Sequence, residues 1–363
     1  WVTTGELSSG HVNHTSELIT VKAVKEAKMR IYPQGTLLMA MYGQGKTRGT
    51  VAILEIDAAV NQACAAITVK DGKSKFLFYQ LKNSYQDIRK LSNTGNQENL
   101  NADIIKTYQV PWAPDEEQER ISTILTTQDR VIELKEKRLA EKQRQKKYLM
   151  QQLLTGKKRL PGFSEEWKIK PLKKLTEKQK KKNHGFQYRL VLSNSAQHGI
   201  VSQDQEFDKE IANEERIDGY YVVIPGAFVY NPRISVTAPC GPINVNETGE
   251  TGIMSPLYTV FTISSPQISQ DFLKYYFQSS CWYKYVKGVA NYGARHDRIS
   301  ISDGDFFDMP IPLPTKEKQN YIAEVLSATD REIDLLRQDI EQEKQKKKAL
   351  MQLLLTGIVR VKT

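Results

Sequence analysis

Three short stretches of the chain carry residue types that could do chemistry, and the first has part of the spacing of a phosphate-binding loop. Gly45-Lys46-Thr47 lies within the segment YGQGKTRG. A phosphate-binding loop also requires an earlier glycine, where this sequence has Ala40, and a helix that follows directly. The residues after Gly49 favour a strand instead. We therefore predict a glycine-rich turn carrying Lys46 and Arg48, which suits a nucleic-acid phosphate or base edge, although a solvated hairpin tip explains it equally well.

The second stretch has the spacing of a metal-dependent nuclease motif, with Asp115 followed by Glu133-Leu-Lys135. Such a motif needs two carboxylates that converge on one metal ion. Both carboxylates fall on one predicted helix, where they are roughly 27 Å apart. We therefore predict that Asp115 caps the helix, and that Glu133 and Lys135 are solvated.

The third stretch, Asn231-Pro-Arg-Ile, is incomplete as the base-holding motif of an amino-methyltransferase. It lacks a second proline and an aromatic residue, and no glycine-rich turn is present for the methyl donor. We interpret it as a turn that places Asn231 and Arg233 at a strand end. The five scattered histidines indicate no metal site, and no nucleophile–base arrangement indicates catalysis, so we predict no catalytic residue, metal or cofactor.

Composition limits the class of protein further. The 363 residues carry a net charge of +10, concentrated in runs such as 142–147, 173–182 and 344–348, which fit either a polyanionic partner or solvated helix faces. Three widely spaced cysteines indicate neither a disulfide framework nor a zinc site, and they fit the cytoplasm. No apolar run approaches the length that spans a membrane.

The chain contains a tandem repeat. MQQLLTGKKRL at 150–160 matches MQLLLTGIVRV at 351–361, and the same separation of 201 positions extends backwards without a gap to Pro111 and Pro312. Both segments read as long helices that begin after prolines and end at Gly156 and Gly357. Apolar residues recur every seven positions, which predicts that the two helices pair as an antiparallel coiled coil. Its predicted core consists of Leu125, Ile132, Leu139, Leu153, Leu326, Ile333, Ile340 and Leu354. The alternative is two amphipathic helices, each lying on its own domain.

Short β-branched and aromatic runs separated by Gly, Pro and Asn precede each helix, as in mixed α/β domains. We predict an α+β fold with a first domain at 1–114, a central helix at 115–156, a second domain at 157–314, and a C-terminal helix and tail at 315–363. Trp1 aligns near Leu190 of the second copy. We therefore expect the first domain to be incomplete at its N-terminus.

The sequence resembles the specificity subunits of type I restriction-modification systems. The resemblance lies in the two helix entrances, PWAPDEEQERI and PLPTKEKQNYI, in the repeated helix endings, and in the stretches NQACAAI, GNQENL and GFSEEW. It covers essentially the whole chain.

The resemblance implies a non-catalytic DNA reader. Each target-recognition domain of that family reads one half of an interrupted, asymmetric DNA sequence, and the antiparallel helices hold the domains at a fixed separation. Two methyltransferase subunits, which carry S-adenosylmethionine, and translocating restriction subunits complete the complex. Antiparallel pairing of duplicated helices would relate the two domains by a pseudo-twofold axis, as the halves of a duplex site require.

Polar and basic residues in predicted loops are the candidate DNA contacts, because Arg and Asn can bind base edges and Lys can bind phosphate. In the first domain these are Thr3, Thr4, Lys22, Lys46 and Arg48. In the second domain they are Ser193, Asn194, Arg233, Asn291, Tyr292, Arg295 and Arg298.

Two other functions stay open from the residues alone. The chain could be the recognition half of a fused restriction-methyltransferase enzyme, which predicts a catalytic domain before Trp1. It could instead be a coiled-coil protein scaffold without a DNA role, which leaves the paired, diverged domains with basic turns unexplained.

Overall fold

The computed structural model describes residues 1–43, 45–70, 73–92, 99–158, 162, 165–203, 214–291 and 297–361. The chain divides into two compact units. The first unit comprises Trp1–Arg138 and Leu336–Thr363, and the second comprises Leu139–Leu335. A central helix, α5 (Asp115–Leu153), and a C-terminal helix, α9 (Lys316–Leu355), each contribute residues to both units.

The first unit is built around a four-stranded sheet in the order β1-β4-β3-β6, in which only β1 and β4 run parallel. A separate antiparallel pair joins β2 and β5. The strands are β1 (His11–Val12), β2 (Ile31–Tyr32), β3 (Leu37–Ala40), β4 (Val51–Leu54), β5 (Ala58–Ala59) and β6 (Cys64–Ile67). The helices are α1 (Val21–Glu26), α2 (Ser74–Asn83), α3 (Tyr85–Lys90) and α4 (Ala102–Thr107), with a 3-10 turn at Thr4–Ser9.

The second unit is built around an antiparallel sheet in the order β13-β12-β15-β8, with three smaller pairs, β9–β10, β11–β14 and β7–β16. Its first strands are β7 (Lys168–Pro171), β8 (Thr176–Lys178), β9 (Leu192–Ser195), β10 (Gly199–Ser202) and β11 (Tyr221–Val223). The later strands are β12 (Phe228–Tyr230), β13 (Ile243–Val245), β14 (Gly252–Met254), β15 (Thr259–Ile263) and β16 (Pro310–Leu313). The helices are α6 (Gln270–Gln278), α7 (Tyr283–Val289) and α8 (Asp303–Phe307), with 3-10 turns at Leu172–Lys174 and Glu214–Gly219.

The two sheets share one pairing pattern. In the first unit, Leu37 of the middle strand pairs with Ile53 and Ile67; in the second unit, Phe228 pairs with Val245 and Phe261. A helix then follows the third strand, and the sequence Phe-Leu-x-Tyr occurs in its first half in both units. The mixed α/β class with two long helices, expected from the sequence, is confirmed.

Both long helices end at the predicted glycines. Gly156 and Gly357 have φ values of 69° and 77°, a left-handed conformation that residues with a Cβ rarely adopt. The chain then doubles back, so that the N–H of Lys158 donates to the carbonyl of Gln152, and the N–H of Val359 donates to that of Leu353. The glycines therefore stop both helices in the same way.

Within the first unit, the central helix and the C-terminal helix run antiparallel. Lys135 pairs with Asp339 at 2.7 Å and with Glu343 at 2.8 Å, while Lys344 pairs with Glu136 at 2.7 Å. Lys135 is therefore not a freely solvated position, as the sequence had suggested, but an interhelical ion-pair partner. The predicted 27 Å separation of Asp115 and Glu133 on one continuous helix excludes a shared metal ion.

A buried lysine interrupts the apolar stripe of the C-terminal helix in the first unit. Lys347 pairs with Asp129 of the central helix, and its ammonium lies 5.4 Å from the ring centre of Tyr79 on α2. The hydroxyl of Tyr79 donates to Asp129 at 2.8 Å. Burial raises the pKa of Tyr79, so the phenol stays protonated and remains a donor. Two helices and the globular part thus meet in one triad.

The second unit contains the same triad with the helices exchanged. Here Lys146 of the central helix pairs with Asp330 of the C-terminal helix at 2.5 Å, and lies 5.6 Å from the ring centre of Tyr275 on α6. The hydroxyl of Tyr275 donates to Asp330 at 3.0 Å. Both lysines stand at the same position of the sequence repeat, and so do both aspartates. The aspartate and tyrosine partners therefore explain why a lysine interrupts the apolar stripe of each long helix.

Apolar residues of the helices fill the rest of each seam. Seven of the predicted core positions are buried, and Leu139 is half-buried. The buried ones are Leu125, Ile132, Leu153, Leu326, Ile333, Ile340 and Leu354. Leu125 and Leu354 join the apolar core of the first unit, and Leu153 and Leu326 that of the second. In the part of the chain that the structure describes, no helix is both long and apolar enough to cross a bilayer.

We expect Lys347→Ala to lower the free energy of unfolding by about 1–3 kcal/mol, because it removes the buried cation that pairs with the partly buried Asp129. Urea unfolding followed by circular dichroism measures this change. Lys348→Ala, which removes an exposed neighbouring charge, is the matched control. An apolar pair, Lys347→Met with Asp129→Leu, should recover much of the loss. Equal effects of Lys347→Ala and Lys348→Ala would contradict a structural role for the triad.

Acid should weaken the helix pair of the first unit. The hydrogen bond from Lys135, followed by that from Gln128, lowers the pKa of Glu343 to about 2. A carboxylate with a depressed pKa stabilises the folded state fully above its unfolded pKa, and this contribution is lost as the pH falls towards the folded pKa. The difference in unfolding free energy between wild type and Glu343→Gln should therefore shrink between about pH 5 and pH 2. Urea unfolding at each pH measures it, with the exposed Glu341→Gln as control; a difference that does not depend on pH would refute the assignment.

Candidate nucleic-acid interface

The predicted glycine-rich turn lies between β3 and β4 of the first unit, and is here called loop 1 (residues 41–50, with Gln44 outside the described residues). Gly45 and Gly49 have φ values of 62° and 82°. A strand rather than a helix follows the loop, so a phosphate-binding loop is excluded. Lys46 is exposed, whereas Arg48 is buried with 6% of its surface accessible. The expectation of two exposed cations at the tip is therefore wrong for Arg48.

Two side chains of helix α3 form hydrogen bonds with the backbone of loop 1. Arg89 donates from Nη1 to the carbonyl of Arg48 and from Nη2 to the carbonyl of Gly45, both at 2.8 Å. The hydroxyl of Tyr85 donates to the carbonyl of Lys46 at 2.7 Å. Three carbonyls of the loop are thus bound by two side chains of one helix.

The corresponding connection of the second unit lies between β12 and β13, and is here called loop 2 (residues 231–242). Gly241 has a φ of 77°, and a Cβ there would stand 2.1 Å from the carbonyl oxygen of Asn231. Only glycine allows the two ends of the loop to approach this closely. The Asn231 side chain accepts a hydrogen bond from the N–H of Arg233 at 3.0 Å, which forms the predicted turn and leaves the Arg233 side chain exposed.

Asparagine amides hold loop 2 against the β9–β10 hairpin. Asn194 is 3% exposed, and its amide donates to the carbonyl of Val229 at 2.7 Å. Its side-chain oxygen accepts from Asn244 at 2.7 Å, and its backbone carbonyl accepts from Asn231 at 3.1 Å. Asn194 was expected to be an exposed contact, but its amide satisfies buried backbone groups instead.

Two of the candidate arginines lie on neighbouring segments. Arg233 and Arg298 form an antiparallel bridge, in which the N–H of Ile299 donates to the carbonyl of Pro232 at 3.0 Å. Asn291 is exposed and pairs with Ser300 in the same way. Arg233, Arg298 and Asn291 are therefore brought together at one edge of the second unit. Tyr292 and Arg295 lie outside the described residues.

The remaining candidates are more dispersed. Thr3 and Thr4 are half-buried at the start of the first 3-10 turn, where the N–H of Thr3 donates to Glu6 at 2.8 Å. Lys22 is exposed on α1, where it pairs loosely with Glu26 at 3.7 Å. Ser193 lies half-buried on β9 opposite Val201. Whether any of these residues contacts DNA stays a prediction.

Several residues of this region were missed from the sequence. Tyr85 and Arg89 had a signal, since a spacing of four places them on one face of a helix. No sequence signal indicated the role of Asn244, because its partner Asn194 is fifty positions away. The arrangement offers exposed guanidinium and amide groups on fixed loops, which can bind base edges and phosphates. Over the described ranges, no group of His, Cys, Asp and Glu could hold a metal ion.

We expect Asn194→Ala to lower the free energy of unfolding by about 1–3 kcal/mol, since it removes the buried hydrogen bonds that the Asn194 side chain makes with the Val229 carbonyl and the Asn244 amide. Ser193→Ala, on the adjacent position of the same strand, is the control. Urea unfolding, together with hydrogen exchange of the β9–β10 hairpin, measures both changes. If Asn194→Ala leaves stability and hairpin exchange unchanged, the amide network does not hold the hairpin.

Comparison with known proteins adds independent evidence. A family model described as the type I restriction modification DNA specificity domain matches residues 1–143. The type I restriction enzyme MjaVIII specificity subunit of Methanocaldococcus jannaschii is 26% identical over 307 residues, which cover 79% of this chain and 70% of the relative. The MjaIX specificity subunit of the same organism is 32% identical over 143 residues, and this match spans 38% of the chain and only 32% of that relative.

Among solved structures, the HsdS subunit from Thermoanaerobacter tengcongensis has a similar fold. Its TM-score is 0.51 at 15% identity, and the match covers 99% of this chain and 90% of that chain. At this identity the likeness concerns the fold alone. The family model and the relatives both carry the description of type I restriction-modification specificity proteins. By these comparisons the chain is similar in sequence, and in fold, to type I restriction-modification specificity subunits.

Proposed function

We propose that this chain is the non-catalytic DNA reader of a type I restriction-modification complex in the cytoplasm, and that it recognises a bipartite, asymmetric duplex site. One recognition domain reads each half-site, and the paired long helices, as a coiled coil, fix the gap between the half-sites. Methyltransferase subunits, two in number and carrying S-adenosylmethionine, dock on this chain, and restriction/translocase subunits complete the assembly.

One observation carries the proposal. Both units place a loop at the same point of the same strand pair, and the two loops differ in sequence and in how they are held. Duplication preserved the scaffold, whereas the exposed side chains diverged to Lys46 in loop 1 and Arg233 in loop 2. This is expected of two readers that recognise different bases. Part of the charge in the helical lysine runs is balanced within the protein, because Lys146, Lys344 and Lys347 are paired with acidic residues of the other helix.

Arg233 is the side chain of loop 2 best placed for a base edge. It is exposed, its backbone is fixed by Asn231 and by the bridge to Arg298, and its guanidinium can bind guanine at two atoms. Arg298 is partly covered and lies 3.6 Å from Asp297, so its charge is partly balanced. We assign base contact to Arg233 and phosphate contact to Arg298.

Selection from randomised duplex DNA tests the proposal, with the chain bound to its methyltransferase subunits. Wild type should select two short blocks separated by a constant gap. Arg233→Ala should relax one position of one block by roughly tenfold, because a bidentate base contact is lost. Arg331→Ala, which removes an exposed arginine of the C-terminal helix, is the control.

The selection has two informative failures. Uniformly weaker binding of Arg233→Ala to all sequences would assign the residue to phosphate rather than to a base. A wild-type complex that selects one uninterrupted block, or no sequence, would refute the bipartite reader.

A further inference from the structure

We propose that Arg89 and Tyr85 are positioning residues that fix loop 1 for reading the first half-site, although neither residue touches DNA. The inference rests on the proposed function and deepens it, because it names what sets the geometry of one reader. It concerns the first unit alone.

The geometry is that of a clamp on the loop backbone. The guanidinium of Arg89 spans loop 1 by donating to the carbonyls of Gly45 and Arg48, and Tyr85 binds the carbonyl of Lys46 between them. Hydrogen bonds from a charged donor are stronger than neutral ones, and the planar fork of arginine fixes two acceptors at once. The carbonyls on both sides of the exposed Lys46 side chain, and its own, are therefore fixed.

The clamp itself is held rigidly. Tyr85 and Arg89 lie one turn apart on α3, the guanidinium lies 5.4 Å from the tyrosine ring centre, and Nη1 also lies 3.3 Å from the tyrosine oxygen. Ile88, between them in sequence, is 2% exposed and anchors α3 in the apolar core. A Cβ on Gly49 would stand 3.2 Å from Cγ of Arg89, so the arginine stem packs directly on the loop.

Specificity depends on such support because a base contact requires its side chain in one place before binding. A loop that must be ordered on binding loses affinity and discrimination, since the ordering opposes the contact. In the part of the chain that the structure describes, loop 2 is supported by asparagine amides rather than by an arginine. Loosening the clamp should therefore affect one half-site and leave the other unchanged.

Three variants test the clamp within the complex with the methyltransferase subunits. Arg89→Ala removes both guanidinium bonds, Arg89→Lys keeps the charge without the fork, and Tyr85→Phe removes only one oxygen. Lys90→Ala is the matched control, because Lys90 is an exposed cation of the same helix that pairs with Asp87 at 3.0 Å. A thermal melt of each variant shows whether it folds. If Arg89→Ala does not fold, Tyr85→Phe still tests the clamp.

Two measurements follow loop position and DNA reading separately. Trypsin cleavage after Lys46 in the DNA-free complex should accelerate about tenfold in Arg89→Ala, and less in Tyr85→Phe, because local opening becomes easier. Selection from randomised DNA should show discrimination in one block falling by roughly tenfold, with the other block and the gap unchanged. Arg89→Lys should resemble Arg89→Ala in both measurements, whereas Lys90→Ala should resemble wild type.

Each deviation has a definite meaning. Unchanged cleavage in both Arg89→Ala and Tyr85→Phe overturns the clamp. Faster cleavage with both blocks intact shows that loop 1 does not set a half-site, and overturns the inference while leaving the bipartite reader standing. Wild type without two blocks refutes the proposed function itself, and the cleavage rates then decide the clamp alone.

Discussion

A lysine placed in the apolar seam between two helices, buried in the first unit and partly buried in the second, must find a carboxylate, and both units meet this requirement. A charge removed from water is costly unless it is paired and hydrogen-bonded. Lys347 and Lys146 meet the requirement with Asp129 and Asp330, and each triad is completed by a tyrosine of the globular part. A helix shifted by one residue would separate the partners. The pair thus sets the register of the helices within each unit, which apolar contacts alone leave less defined.

The sequence predicts the long helices well because their signals are local. Prolines at the entrance, glycines at the exit and an apolar residue every seven positions act within a few turns, and Asp115–Leu153 and Lys316–Leu355 agree closely with them. The roles of the charged residues were less accessible. Lys135 looked solvated, and the lysine runs fitted either a polyanionic partner or solvated helix faces, because the acidic partners lie about two hundred positions away.

The candidate interface shows the same difference between features set by neighbouring residues and features set by distant ones. The turn at Asn231 and the glycine-rich connection before β4 follow from local residue types, so both were predictable. Burial of Arg48 and Asn194 was not, because it depends on strands and helices that meet only after folding. Sequence shows which residues could bind DNA, while the fold decides which of them face solvent and which support their neighbours.

Each triad combines side chains from the duplicated long helices with one side chain from the globular part, whose sequence differs between the two units. The long helices supply the lysine and the aspartate. The globular part supplies one tyrosine hydroxyl, from α2 in the first unit and from α6 in the second. The residues of loop 1 and loop 2 take no part in these triads. The loops of the two units can therefore differ in sequence without changing the contact that each globular part makes with the long helices.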